Sequence, residues 1–194
     1  MRQPSTILVT GASGALGKRF VRERLNTTDQ TLHLLMRPKG ATSAEARVRK
    51  FLAADGLDHH LGERVQVIEG DITRPMLGLG PEELERPGEE VEDFYHIAAL
   101  TALNAEDDRS RRLNVEGTAE ALKVADHLTR FGRLERFFYF STAYVAGSHR
   151  AVHAREDELV SEPAHANAYE ATKYEAEGMV RRALAEGLPA TIFR

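Results

Sequence analysis

Tyr169 and Lys173 stand four residues apart in Asn167-Ala168-Tyr169-Glu170-Ala171-Thr172-Lys173, in a chain that opens with the glycine loop Thr10-Gly11-Ala12-Ser13-Gly14-Ala15-Leu16-Gly17. On a helix the two side chains share a face, one turn apart. A cation beside a phenol favours its ionised form, which makes Tyr169 a usable general acid or base. The glycines suit a strand-to-helix turn in which Gly11 permits the bend, Gly14 admits a pyrophosphate to the backbone and Gly17 lets the helix pack on the strand. The N–H groups that follow, through Ser13, Ala15 and Leu16, would face the phosphates with about half a positive charge from the helix dipole. A proton handler beside a dinucleotide cradle points to hydride transfer.

These residues need a scaffold, and the hydrophobic pattern predicts one. Short β-branched or aromatic runs at Thr6–Thr10, Thr31–Met36, Arg64–Ile68, Asp93–Ile97, Arg136–Ser141 and Pro189–Phe193 read as strands. They alternate with amphipathic stretches at Ala15–Leu25, Ser43–Asp55, Asp108–Phe131 and Ala166–Glu186 that read as helices. Such alternation predicts an α/β fold: a doubly wound parallel sheet (Rossmann fold) in three αβα layers, with ligands at the strands' carboxyl ends. The Pro/Gly-rich stretch from Arg74 to Gly88 reads as an irregular excursion with one short helical turn. One domain over 1–194 accounts for the length.

Composition narrows the chemistry. The chain has no cysteine, which excludes disulfides, thiolate catalysis and thiolate metal sites, so a redox role needs a bound cofactor. No apolar run approaches the roughly 20 residues that span a bilayer, and the N-terminus lacks a secretory apolar region, so a cytoplasmic protein with no membrane span is expected. Net charge is −4, and Glu106-Asp107-Asp108 directly precedes the basic Arg109-Ser110-Arg111-Arg112, which argues against nucleic-acid partners. His59-His60 and His149 with His153 lack carboxylates at ligand spacing, so no metal is expected. The acidic run Glu156-Asp157-Glu158 reads as a solvated loop, and His96 as a structural histidine ending its strand.

The end of the second strand bears on the cofactor. An NAD site presents an acid there for the ribose 2′-hydroxyl, whereas this chain reads Leu35-Met36-Arg37-Pro38. The Arg37 guanidinium can grip a 2′-phosphate through two parallel hydrogen bonds, so NADP(H) is favoured over NAD(H).

Six motifs occur in order: the glycine loop, Gly70-Asp71-Ile72-Thr73, His96-Ile97-Ala98-Ala99, Leu113-Asn114-Val115-Glu116-Gly117-Thr118, Phe140-Ser141-Thr142 and Tyr169-Glu170-Ala171-Thr172-Lys173. Together they resemble the extended branch of the short-chain dehydrogenase/reductase superfamily. The resemblance implies that Thr142 hydrogen-bonds the substrate oxygen, that Tyr169 donates the proton, and that Lys173 binds the nicotinamide ribose and tunes Tyr169. It implies further that Asp71 and Ile72 contact the adenine and that Ala98 and Ala99 line the cofactor. Ser141 becomes a supporting hydroxyl, and Asn114 an asparagine that supports the site, often through water.

Within that branch, dehydratases carry an Asp-Glu pair after the site threonine, whereas Ala143 and Tyr144 stand here. Leu35-Met36-Arg37-Pro38, Gly70-Asp71-Ile72-Thr73 with Pro75-Met76-Leu77-Gly78-Leu79, and Ser141-Thr142-Ala143-Tyr144-Val145-Ala146-Gly147 resemble the fatty acyl-CoA reductase (male-sterility) and thioester reductase group. That resemblance implies NADPH-dependent reduction of an acyl-CoA or acyl-carrier-protein thioester to an aldehyde. Two alternatives stay open: a nucleotide-sugar epimerase or reductase of the same branch, and a non-catalytic NADP-binding sensor. A carrier protein and a second copy of the chain are the partners considered. Because Thr191-Ile192-Phe193-Arg194 falls on the sixth strand, the chain is expected to lack a following substrate-binding region.

Overall fold

The computed structural model describes residues 5–148, 154–161 and 163–194, with the backbone alone at 86–89. Six parallel strands, β1 (Thr6–Thr10), β2 (Thr31–Met36), β3 (Val65–Glu69), β4 (Val91–His96), β5 (Arg136–Phe140) and β6 (Ala190–Phe193), lie in the order β3-β2-β1-β4-β5-β6. Helices α1 (Ala15–Thr27) and α2 (Ala44–Ala53) pack on one face. Helices α3 (Pro81–Glu90), α5 (Gly117–Phe131) and α6 (Ala168–Ala185) belong to the other, and α4 (Asp107–Arg111) leads into α5.

Every residue of β1 is buried, as a strand covered by helices on both faces requires. The period-two alternation sorts the core: Ile7, Val9, Leu32, Leu34 and Met36 join the α1/α2 side, while Leu8, Leu35, Phe137 and Tyr139 join the α5/α6 side. Because β1 pairs with both β2 and β4, the chain direction across the sheet reverses between β1 and β4. That switch point opens the crevice at the strands' carboxyl ends.

The predicted strands and helices are present, with ends displaced by up to about two residues. Two corrections carry physical content. Residues 74–80 are irregular with a short 3-10 turn over Pro75–Gly78, as expected, but from Pro81 onward the chain is helical, since α3 occupies Pro81–Glu90. Pro81 stands at the first helical position, where its fixed φ favours a helix start, and the Glu83 carboxylate accepts from the Gly80 N–H at 2.9 Å as an N-terminal cap. The Gly-Pro pair that reads as a breaker here begins a helix.

The stretch predicted as one helix from Asp108 to Phe131 carries a π turn over Arg112–Glu116, between α4 and α5. Such bulges shift the register of everything after them and concentrate at functional positions. Asn114 sits within it.

Candidate active site

The glycine loop leaves β1 with Gly11 at φ +77, a left-handed conformation that favours glycine. A Cβ on Gly11 would stand 2.5 Å from the Ala98 nitrogen, so the loop can lie against the end of β4 only because that atom is absent. On Gly17 a Cβ would collide with the Gly11 carbonyl and stand 2.8 Å from the Ala12 Cα. Gly17 therefore sets the close approach of α1 to the loop. The loop is locked by the Gly14 N–H donating to the Gly11 carbonyl at 3.0 Å.

From this loop a cleft of about 530 Å³ runs across the switch point. Its floor is formed by Gly11, Ser13, Gly14, Ala15, Leu16 and Gly17, with Arg37, Asp71 and Ile72 at the β2/β3 end. Ala98, Ala99, Ser141, Tyr169 and Lys173 continue it toward β5 and α6. Nearly all of the sequence-predicted site residues thus share one cleft. The residues fit a dinucleotide: a backbone-lined loop at a helix N-terminus for the phosphates, and small side chains where a flat ring must pass.

Thr142 and Asn114 do not line the cleft. Thr142 directly follows Ser141, and its Oγ accepts from the Tyr144 N–H at 3.3 Å, capping a 3-10 turn over Ala143–Ala146. Asn114 is buried, donates to the Leu100 carbonyl and the Thr172 hydroxyl at 3.0 Å each, and accepts from the Leu100 N–H at 2.7 Å. These bonds tie the segment after β4 to α6.

At the β2 end, Arg37 faces Asp71 across 3.5 Å. Asp71 Oδ1 also accepts from the N–H and hydroxyl of Thr73, at 3.0 and 2.9 Å. Burial raises the Asp71 pKa, but the Thr73 bonds and Arg37 outweigh it and the net shift is downward, which keeps the carboxylate charged. Arg47 of α2, overlooked in the sequence, lines the same cleft and donates to the Arg37 carbonyl. No local signal marks it, because only the return of α2 past the end of β2 brings it there. Arg47 also borders a second groove of about 830 Å³ between α1 and α2, where Lys18, Arg19, Arg22, Lys39 and Lys50 gather. Lys18 and Arg19 belong to that groove and not to the cleft.

At the α6 end, Lys173 is 2% exposed and its Nζ donates to the Tyr139 hydroxyl at 2.7 Å and the Phe140 carbonyl at 2.6 Å. The Tyr169–Lys173 spacing gives no hint of these β5 partners. Burial pushes the Lys173 pKa down to about 7, with the Glu177 charge opposing it. His96 is buried between the Thr10 hydroxyl, 2.8 Å from Nδ1, and the Thr118 hydroxyl, 3.3 Å from Nε2. Burial, assisted by the Lys173 charge, lowers its pKa to about 3, so its imidazole is neutral and structural.

His59 and His60 lie in a 3-10 turn, ring against ring at 4.0 Å, whereas His149 and His153 lie outside the described residues. Among the described residues no helix is long and apolar enough to cross a membrane.

Sheet order, glycine loop and a shared Tyr/Lys cleft define an NAD(P)-binding domain of the extended short-chain dehydrogenase/reductase superfamily. Residues 9–194 match the family described as male sterility protein, and the chain belongs to it. It is 30% identical over 71% of its length to fatty acyl-CoA reductase 1 of Gallus gallus, of which it covers 28%. Over its whole length it is 30% identical to the nonribosomal peptide synthetase asaC of Aspergillus flavus, covering 20% of that protein. Among solved structures, the terminal R domain from the myxalamid PKS-NRPS pathway superposes with a TM-score of 0.85 at 37% identity, over 98% of this chain and 48% of that one. The chain thus spans less than half of each of these three relatives.

Proposed function

We propose that the chain forms the cofactor-binding and proton-donating part of an NADPH-dependent reductase that converts an acyl thioester, carried on CoA or on an acyl carrier protein, to an aldehyde. The observation that carries this reading is that one cleft holds the glycine-loop phosphate cradle at one end and Tyr169 with Lys173 at the other. Kinship with a fatty acyl-CoA reductase, a nonribosomal peptide synthetase and an R domain supports the thioester and, for the latter two, a carrier-bound substrate.

Arg37 and Arg47 would hold a 2′-phosphate at the β2 end, where guanidinium groups suit it best. The backbone around Ser13, Gly14 and Ala15 would hold the pyrophosphate, with Ala98 and Ala99 against the cofactor's flat rings. A bound nicotinamide supplies the hydride. As the thioester carbonyl is reduced its oxygen gains negative charge, and hydrogen bonds from Tyr169 and the Thr142 hydroxyl stabilise it. Tyr169 then gives that oxygen its proton, and Lys173 favours the phenolate left behind. The resulting hemithioacetal collapses as its hydroxyl proton returns to the Tyr169 phenolate, the C=O bond re-forms and the C–S bond breaks, and the departing thiolate takes up a proton, giving the aldehyde and the free thiol. Since Ala143 and Tyr144 offer no carboxylate beside Thr142, the chain has no acid there for the extra proton transfers of a dehydratase.

The test is NADPH oxidation with acyl-CoA, acyl-carrier-protein and nucleotide-sugar substrates in parallel. Thioester-dependent oxidation with aldehyde formed in equal amount is expected. Turnover of a nucleotide-sugar without net NADPH loss would favour the epimerase alternative, and binding without turnover the sensor.

A further inference from the structure

Helix α6 carries Tyr169, Lys173, Glu177 and Arg181 at successive spacings of four, which places them along one stripe. The first two belong to the cleft described above. Glu177 does not line it, yet its side chain is fully buried and charged groups converge on it. Its carboxylate accepts from the Ser141 hydroxyl at 2.6 Å, from Arg181 Nε at 2.8 Å and from Arg194 Nη2 at 2.6 Å. Burial raises the Glu177 pKa, but the bonds from Arg194, Ser141 and Arg181 outweigh it and the net shift is downward, so the group is an anion.

The two guanidiniums reach past Glu177 to a stretch of main chain. Arg194 donates to the carbonyls of Arg155 at 2.8 Å and Glu158 at 2.6 Å. Arg181 donates to those of Glu156 at 2.9 Å and Asp157 at 3.0 Å. Four consecutive carbonyls therefore turn inward onto two arginines held by one carboxylate. This main chain belongs to the excursion between Thr142 and Tyr169, whose neck closes where the Ser148 N–H donates to the Ala164 carbonyl at 2.8 Å. At the other end of the network, Ser141 lines the cleft and precedes Thr142.

We propose that Glu177 is a positioning residue that couples the 155–158 segment to the proton-handling end of the cleft, through Ser141 on one side and Arg181 and Arg194 on the other. The sequence reading of 156–158 as a solvated loop covers only its side chains, since the backbone is fastened inward. Glu177 is also an anion one turn from the Lys173 ammonium, where the other titratable groups are His96 from β4, Tyr139 from β5 and Tyr169 on α6 itself.

The test is cleavage of the full chain by glutamyl endopeptidase, with cuts after Glu156 and Glu158 mapped by mass spectrometry, with and without saturating NADPH. In the wild type NADPH should slow these cuts by about fivefold or more, the lower end of ordinary site-to-site coupling, whereas in Glu177→Gln they should be faster and NADPH should no longer slow them. Glu177→Asp should restore part of the protection. Should Glu177→Gln fail to fold, Arg181→Gln frees the Glu156 and Asp157 carbonyls while leaving Ser141 and Arg194 on Glu177, and should show the same loss in smaller measure. Equal cleavage of variant and wild type, or NADPH protection that survives in Glu177→Gln, would overturn the proposal.

The kinetic arm rests on the reductase reading. There kcat for an acyl thioester should fall about 10- to 100-fold in Glu177→Gln with NADPH affinity unchanged, as expected for a displaced site, and the loss of rate on raising pH should begin at lower pH. Faster cleavage with unchanged kcat and pH profile would sink the coupling. Absence of turnover in the wild type would count against the proposed reaction alone and leave the cleavage arm to decide on Glu177.

Discussion

The two ends of the cleft are built from different materials. At the β1/α1 end the backbone makes the site: Gly11 and Gly17 remove side chains so that loop, helix and the end of β4 can touch, and the glycine loop lines the cleft. At the β5/α6 end side chains make it, through Lys173 on Tyr139 and Phe140 and through Glu177 on Ser141, Arg181 and Arg194. A backbone site is specified by what is missing and tolerates little added volume. A side-chain site is specified by charge and tolerates change of shape better than change of ionisation.

The largest expected effect lies at the side-chain end. Tyr169→Phe removes the proton donor and keeps the ring, so turnover of an acyl thioester should fall by about 10²- to 10⁴-fold while NADPH affinity stays put. A variant with wild-type turnover would remove Tyr169 from the mechanism.

The matching break at the backbone end is Gly11→Ala. A methyl group there meets the Ala98 backbone at a φ unsuited to alanine, so a loss of about 1–3 kcal/mol of stability from the conformation alone is expected, with NADPH binding reduced as well. Thermal unfolding and fluorescence titration measure the two. Undiminished stability and binding would mean that the close approach of loop and β4 is unimportant.

Much of this division is legible in the sequence. The glycine spacing, the strand periodicity and the Tyr-x-x-x-Lys step are local patterns, and each is found where the residues predict it. What escapes has a common cause: Arg47, the β5 partners of Lys173 and the Glu177 network depend on which elements the fold brings side by side. Helix α3 escapes for a different reason, because Pro81 signals either a break or a start and only the cap from Glu83 decides between them. The inserted turn at Arg112–Glu116 leaves no mark in periodicity across a helix already long enough to blur one residue of slip.

A smaller effect distinguishes the cofactors. Arg37→Ala or Arg47→Ala should weaken NADPH binding about tenfold, the scale of one charge-assisted bond, and leave NADH binding nearly unchanged. Equal losses for both would place these arginines away from the 2′-phosphate.

A further effect is a pH dependence. Lys173 has a folded-state pKa of about 7 against 10.5 in the unfolded chain, so between these values the unfolded state binds more protons. Its burial therefore costs stability at pH below about 7, and that cost fades as pH rises toward 10.5. Lys173→Met has no such group to charge, so its Tm relative to wild type should be most favourable at low pH and should decline steadily from pH 7 to 10. A pH-independent difference would show that burial does not disfavour the ammonium.

The reading of the two ends as one reductase is tested most directly by following NADPH with an acyl thioester, in the wild type and in Tyr169→Phe side by side. The expected result is NADPH consumed in step with aldehyde by the wild type, and NADPH bound but not consumed by Tyr169→Phe. Cofactor bound by both proteins and oxidised by neither, across acyl-CoA and acyl-carrier-protein substrates, would contradict it.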